Sequence, residues 1–243
     1  MFNKLFAVHE QTLQGFITFC VQIGALLPVA VIMLILAYKT YTKDRAYLAN
    51  IFLAVSFSLI AFMMILNVFI VYVLNRDALF LNIFQFLYVL TNLSLVFITA
   101  TLFVIYKGPQ VFTGIQGIGT LLVFVITSFC ILFGGLKEFD AEYLPKWTPL
   151  FFALVLGFTS FYSVITVFLS LKIRNHLAPI IKRKFNRFFT GTVFLLCGYW
   201  NIILYMIRVI PFSFRIFAVP FIVAGGILMY QGIIRKPKHV SLD

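Results

Sequence analysis

Two short patterns of polar residues interrupt otherwise apolar sequence. Gln85, Tyr88 and Asn92 recur at i, i+3 and i+7, and Asn201, Tyr205 and Arg208 at i, i+4 and i+7. On an α-helix, either spacing gathers the side chains on one face. Amides and phenols offer donors and acceptors together, and an arginine fork can hold a carboxylate or phosphate through paired hydrogen bonds. Set against each other, the two faces would line a cleft for a small polar or anionic ligand. These six residues are the candidate ligand-binding set. In the competing reading the same amides tie helices to one another, each bond contributing on the order of 1 kcal/mol in lipid.

Catalytic chemistry finds little to work with. The long apolar runs contain no Asp, Glu, Lys or His, and their one arginine, Arg215, only opens the last of them. Pumps and proton relays need an ionisable group within the membrane to stabilise charge along the path. Intramembrane hydrolysis needs aspartates, a metal site or a serine with a base. A retinal Schiff base needs a lysine in the last helix, and FSFRIFAVPFIVAGGILMYQGII has none. His9, His176 and His239 fall outside the runs. The expectation is a protein that is not an enzyme and holds no cofactor or metal.

The elements that must position the polar residues are membrane spans. The chain is 63% hydrophobic and 11% charged, far from globular averages, which places it among polytopic membrane proteins. We expect an all-α, seven-transmembrane-helix bundle occupying residues 1–243 as one domain. The spans are predicted at about 15–38, 48–74, 80–106, 118–136, 148–171, 188–207 and 213–234. At ~1.5 Å per residue, even the shortest nearly crosses a hydrocarbon core of roughly 30 Å.

Charge then sets the sidedness. The stretch Lys172 to Arg187, KIRNHLAPIIKRKFNR, carries six basic residues and no acidic one between two long apolar runs. Such a loop stays cytoplasmic. With it go Lys39, Lys43 and Arg45, then Lys107, and the tail residues Arg235, Lys236 and Lys238, thirteen of the nineteen Lys and Arg in all. The N-terminus is therefore expected outside and the C-terminus in the cytoplasm, in the cell (plasma) membrane. Glu10 before the first run, and no small-residue cleavage pattern, argue against a removable signal peptide. Under this topology Gln22, Asn67 and the candidate amides and phenols share the outer half, with Arg208 at its rim. Tyr143 and Trp147 suit the outer aromatic belt.

The net charge of +12 is then topology charge beside anionic lipid, with no nucleic acid as partner. Two roles stay open for the basic loops. They hold topology and touch anionic lipid, or they dock a separate cytoplasmic signalling partner. Small residues recur at helical spacing in Ala54, Ser58 and Ala61, in Ala153, Gly157 and Ser160, and in Ala218, Gly225 and Gly232. They let helix backbones approach closely. A hydroxyl stripe, Thr159, Ser163, Thr166 and Ser170, can bond to a neighbouring helix or back to its own carbonyls. Pro28 and Pro220 are expected to bend their spans. Cys20, Cys130 and Cys197 read as small packing residues, with a Cys20–Cys130 disulfide as the alternative.

Loop one, YKTYTKDRAYLANIFL, is a basic turn leading into an apolar helix, and RNHLAPIIKRKFNRFFTGTVFLLCG is an arginine-rich loop opening into a glycine-containing one. With these features the chain resembles, over nearly its whole length, the seven-helix N-terminal sensor region of some membrane histidine kinases and related signalling proteins. That resemblance implies a bundle that faces outward, senses a ligand or membrane state and passes the change inward. The chain ends nine residues after the last predicted span, and Pro237 opposes a continuing signalling helix. Output would therefore pass through a separate protein. The leading expectation is a receptor-like or sensory membrane protein without catalytic output. The alternatives are a transporter of a small uncharged solute and a structural or assembly subunit.

Overall fold

The computed structural model describes residues 13–73, 78–139, 145–206 and 218–232. Seven helices account for most of them: α1 (Leu13–Lys43), α2 (Leu48–Val73), α3 (Ala78–Lys107), α4 (Ile115–Phe129), α5 (Pro149–His176), α6 (Pro179–Met206) and α7 (Ala218–Gly232). Short 3-10 turns at Pro109–Phe112 and Cys130–Phe133 flank α4. Six stretches, within α1 to α6, are long and apolar enough to cross a membrane. The seventh apolar helix is described over fifteen residues only, since its predicted flanks lie outside the described residues.

Neighbouring helices close a ring in the order α1, α2, α3, α5, α6 and α7, with α7 returning to α1. Helix α4 lies outside that ring against α3. Burial follows the arrangement: 78% of the apolar window of α3 is buried, against 17% of that of α4. Helix α4 is nonetheless docked by polar contacts. The Tyr162 hydroxyl on α5 lies 2.5 Å from Thr127 and 3.1 Å from the Phe124 carbonyl of α4. The outward faces are apolar, with Val123 and Ile126 on α4 and Val164 and Phe168 on α5 all exposed. Water would penalise such a surface and lipid tails would not.

Several expectations are revised by the helix limits. Residues 172–187 are not a loop. Helix α5 runs on to His176 and α6 begins at Pro179, leaving only Leu177 and Ala178 between them. Lys and Arg are good helix formers, so a charge run marks the end of a hydrocarbon-crossing segment without ending the helix. Arg174 Nε donates to Asn186 Oδ1 across this turn at 3.0 Å. The fourth span begins three residues before its predicted start, at Ile115.

The fold is also not purely helical. Between α4 and α5 a two-stranded antiparallel hairpin forms from β1 (Leu136–Phe139) and β2 (Pro145–Trp147). Its register sets Leu136 opposite Trp147 and Glu138 opposite Lys146.

The small-residue stripes divide. Ala218, Gly225 and Gly232 of α7 are buried against α6. A Cβ on Gly225 would press on the Gly191 carbonyl, and one on Gly232 would collide with the Phe188 backbone. On α5, by contrast, Ala153 and Gly157 face outward, and the hydroxyl stripe Thr159, Ser163, Thr166 and Ser170 is the buried one. On α2, Ala54 and Ala61 are buried while Ser58 is exposed. Helix α1 continues through Pro28. Cys197 is exposed rather than packed inside, because its position on α6 turns outward, and Cys130 is a free thiol.

Candidate functional site

Helix α3 carries the first polar pattern at the centre of the bundle. Gln85 and Tyr88 are 5% exposed and Asn92 is fully buried. All three share one face, as their spacing requires. Asn92 is held at both ends of its amide: Nδ2 donates to the Tyr88 carbonyl at 3.1 Å, and Oδ1 faces the Thr159 hydroxyl of α5 at 3.5 Å. Its described partner across the bundle therefore lies on α5, where the sequence led us to expect α6.

The hairpin brings an aromatic group onto the same face. Tyr88 meets Trp147 at 4.9 Å and Phe151 at 5.5 Å between ring centroids, both edge-on. Trp147 and Phe151 also pack on each other, at 4.6 Å. This placement depends on Thr148, which caps α5. Its Oγ1 accepts from the Phe151 amide at 3.1 Å and donates to the carbonyls of Gly134 and Gly135. Gly135 takes a positive φ of 68°, a conformation that glycine adopts without steric penalty. Gly134 leaves no room for a side chain against Phe151. The base of the hairpin is thus fastened to the first turn of α5, and Trp147 is held over Tyr88.

Two donors stand out there. Gln85 Nε2 and Trp147 Nε1 are both buried and have no hydrogen-bond partner among the described residues. A buried donor without an acceptor forfeits about 1–3 kcal/mol, so most such groups in folded proteins have found one. Gln85 sits nearly one helical turn from Tyr88, whose ring Trp147 touches.

The second pattern is less gathered. Asn201 lies on α6, half-buried, and its Oδ1 is a buried acceptor without a partner among the described residues. Tyr205 belongs to the last turns of α6, and its side chain lies outside the described residues, as does Arg208 altogether. Gln22 and Asn67 sit on α1 and α2, with side chains likewise outside the described set. Helices α3 and α6 are joined by Ser94 and Tyr199, whose hydroxyls are 2.6 Å apart. Ser94 already donates to the Thr91 carbonyl at 2.7 Å, so Tyr199 is the donor between them.

Sequence reasoning missed Trp147 and Thr159 as neighbours of the α3 face. Trp147 reads as an interfacial aromatic in a loop, and only the Thr148 cap turns it inward. Thr159 heads the hydroxyl stripe already noted, so its helix was visible but its partner was not. No family model, curated protein or solved structure matches the chain.

Proposed function

We propose that the chain is a seven-span sensory membrane protein of the plasma membrane, with its N-terminus outside and its C-terminus cytoplasmic. In this reading a small polar or anionic solute enters from the outer side, binds among Gln85, Tyr88 and Trp147, and is met at the rim by Arg208. The observation that carries it is the pair of buried donors at the hairpin end of α3, Gln85 Nε2 and Trp147 Nε1, which have no partner among the described residues. The protein itself performs no chemistry on the solute. The change passes inward toward the basic ends of the helices, as the resemblance to histidine-kinase sensor regions implies.

Trp147 and Trp200 are the only tryptophans, so Trp200→Phe leaves Trp147 as a reporter in the proposed site. Titrating that variant in nanodiscs with amino acids, carboxylates and sugars should give a saturable emission change for one class, lost in Gln85→Leu. Flux of the same solute in proteoliposomes would assign a transporter instead. Tags at the two ends should label from opposite sides of intact cells.

One contact favours a second reading, that of a structural or assembly subunit. The Asn92–Thr159 hydrogen bond shows how an amide on this face can join helices directly. If Gln85 does the same through water, the site is helix glue, and no solute class will change Trp147 emission.

A further inference from the structure

The opposite end of the bundle holds an open groove that the outer site does not use. Lys39, Thr42 and Lys43 of α1, Arg187 of α6, and Tyr230 and Gln231 of α7 line an open groove of about 550 Å³. Lys43 places its ammonium 5.5 Å from the centre of the Tyr230 ring, against the groove wall. Thr42 turns its hydroxyl back to the carbonyls of Tyr38 and Lys39, at 2.9 and 3.3 Å, which leaves Lys39, Arg187 and the Gln231 amide as donors lining the groove. Among the described residues no carboxylate lines the groove. The nearest in sequence, Asp44, accepts from the Ala46 amide at 3.1 Å. The close approach of α6 and α7 at Gly225 and Gly232 fixes the spacing between Arg187 and Gln231.

Lys39 and Arg187, presented from two helices, suit an oxyanion such as phosphate, because charge-assisted hydrogen bonds to it are short and strong. The surroundings say which kind. Val31 and Ile35 precede Lys39 on the same face of α1 at four-residue steps, and both are exposed, 55% and 47%. An apolar strip therefore leads from the groove along the helix toward the middle of the span. A phosphate with acyl chains matches both parts, whereas a free anion uses only the first.

We propose that this groove is a binding site for the phosphate headgroup of an anionic lipid, its acyl chains lying along the exposed strip of α1. Basic pockets between membrane helices hold such headgroups by this combination of charge and depth.

The test uses the full chain in neutral detergent, with lipid adducts read by native mass spectrometry. Phosphatidate should be retained, and phosphatidylcholine should not. Lys39→Gln and Arg187→Gln should each weaken phosphatidate retention about fivefold. Lys182→Gln and Lys184→Gln remove the same charge from α6 outside the groove, and should change it by less than about twofold once distance and salt screen them. Arg187→Lys keeps the charge and should retain most of the binding, which separates loss of the site from loss of the fold. Equal weakening by groove and non-groove variants would overturn the site in favour of a diffuse basic surface. Displacement of phosphatidate by inorganic phosphate at equal concentration would overturn the lipid as its ligand.

Discussion

Ser94, Thr99 and Thr101 lie in the half of α3 nearer the basic end, and each of these three hydroxyls has a partner. Ser94 donates to Thr91 and receives Tyr199, while Ser56 of α2 donates to the Ser94 carbonyl at 3.0 Å. Thr99 donates to the Leu95 carbonyl and meets Thr166 of α5 at 2.8 Å, and Thr101 donates to the Phe97 carbonyl. Gln85, about 20 Å away along the same helix, is also buried but its amide nitrogen has no partner among the described residues. A helical hydroxyl can turn back to a carbonyl one turn earlier, as Thr99 does while also meeting a neighbour. A glutamine amide reaches beyond its own backbone and needs something placed for it. One half of α3 is built to hold the bundle, and the other keeps hydrogen-bonding capacity in reserve.

Reversible unfolding in mixed micelles, followed by far-ultraviolet circular dichroism, separates the two halves. The largest loss is expected for Ser94→Ala, about 1–3 kcal/mol, because the Tyr199 hydroxyl is left buried without its acceptor. Making the same change in a Tyr199→Phe background should remove much of that loss, which a double-mutant cycle would show directly. Thr99→Val should cost about 1 kcal/mol, in the range of interhelical hydrogen bonds in membranes, and Thr166→Val should couple to it. Thr159→Val should cost roughly 0.5 kcal/mol, since its contact with Asn92 is at the long limit of a hydrogen bond.

The sequence carried most of the scaffold. Apolar run length marked the long helices, and three of the four stripe residues on α5 bond across the bundle. Thr159 bonds to Asn92, Thr166 to Thr99, and Ser163 receives the Trp200 indole at 3.3 Å, while Ser170 has no partner among the described residues. The glycines of α7 are where close packing needs them. Other features depend on information that single-residue types do not hold. Ala153 and Gly157 have the same spacing as the packed stripe, and only the direction of the neighbouring helix decides which stripe is inside. The turn at Leu177–Ala178 was hidden by its charge, which reads as loop although the backbone remains helical on both sides. The hairpin strands, at four and three residues, are too short to show an alternating pattern. At the hairpin end of α3 the triplet was legible from its period. The Trp147 contact was not, because it depends on a cap, a positive-φ glycine and a bare Cα acting together.

The smallest expected effect is also the most direct test of the comparison. Gln85→Leu keeps a side chain of similar size and removes the donor that has no protein partner. Its unfolding free energy should stay within about 0.5 kcal/mol of the parent or rise, since replacing an unpaired buried polar group by an apolar one is neutral or stabilising. A loss of about 2 kcal/mol, comparable to Ser94→Ala, would contradict the account. It would mean that Gln85 is already bonded within the bundle, and that both halves of α3 serve only to hold it together.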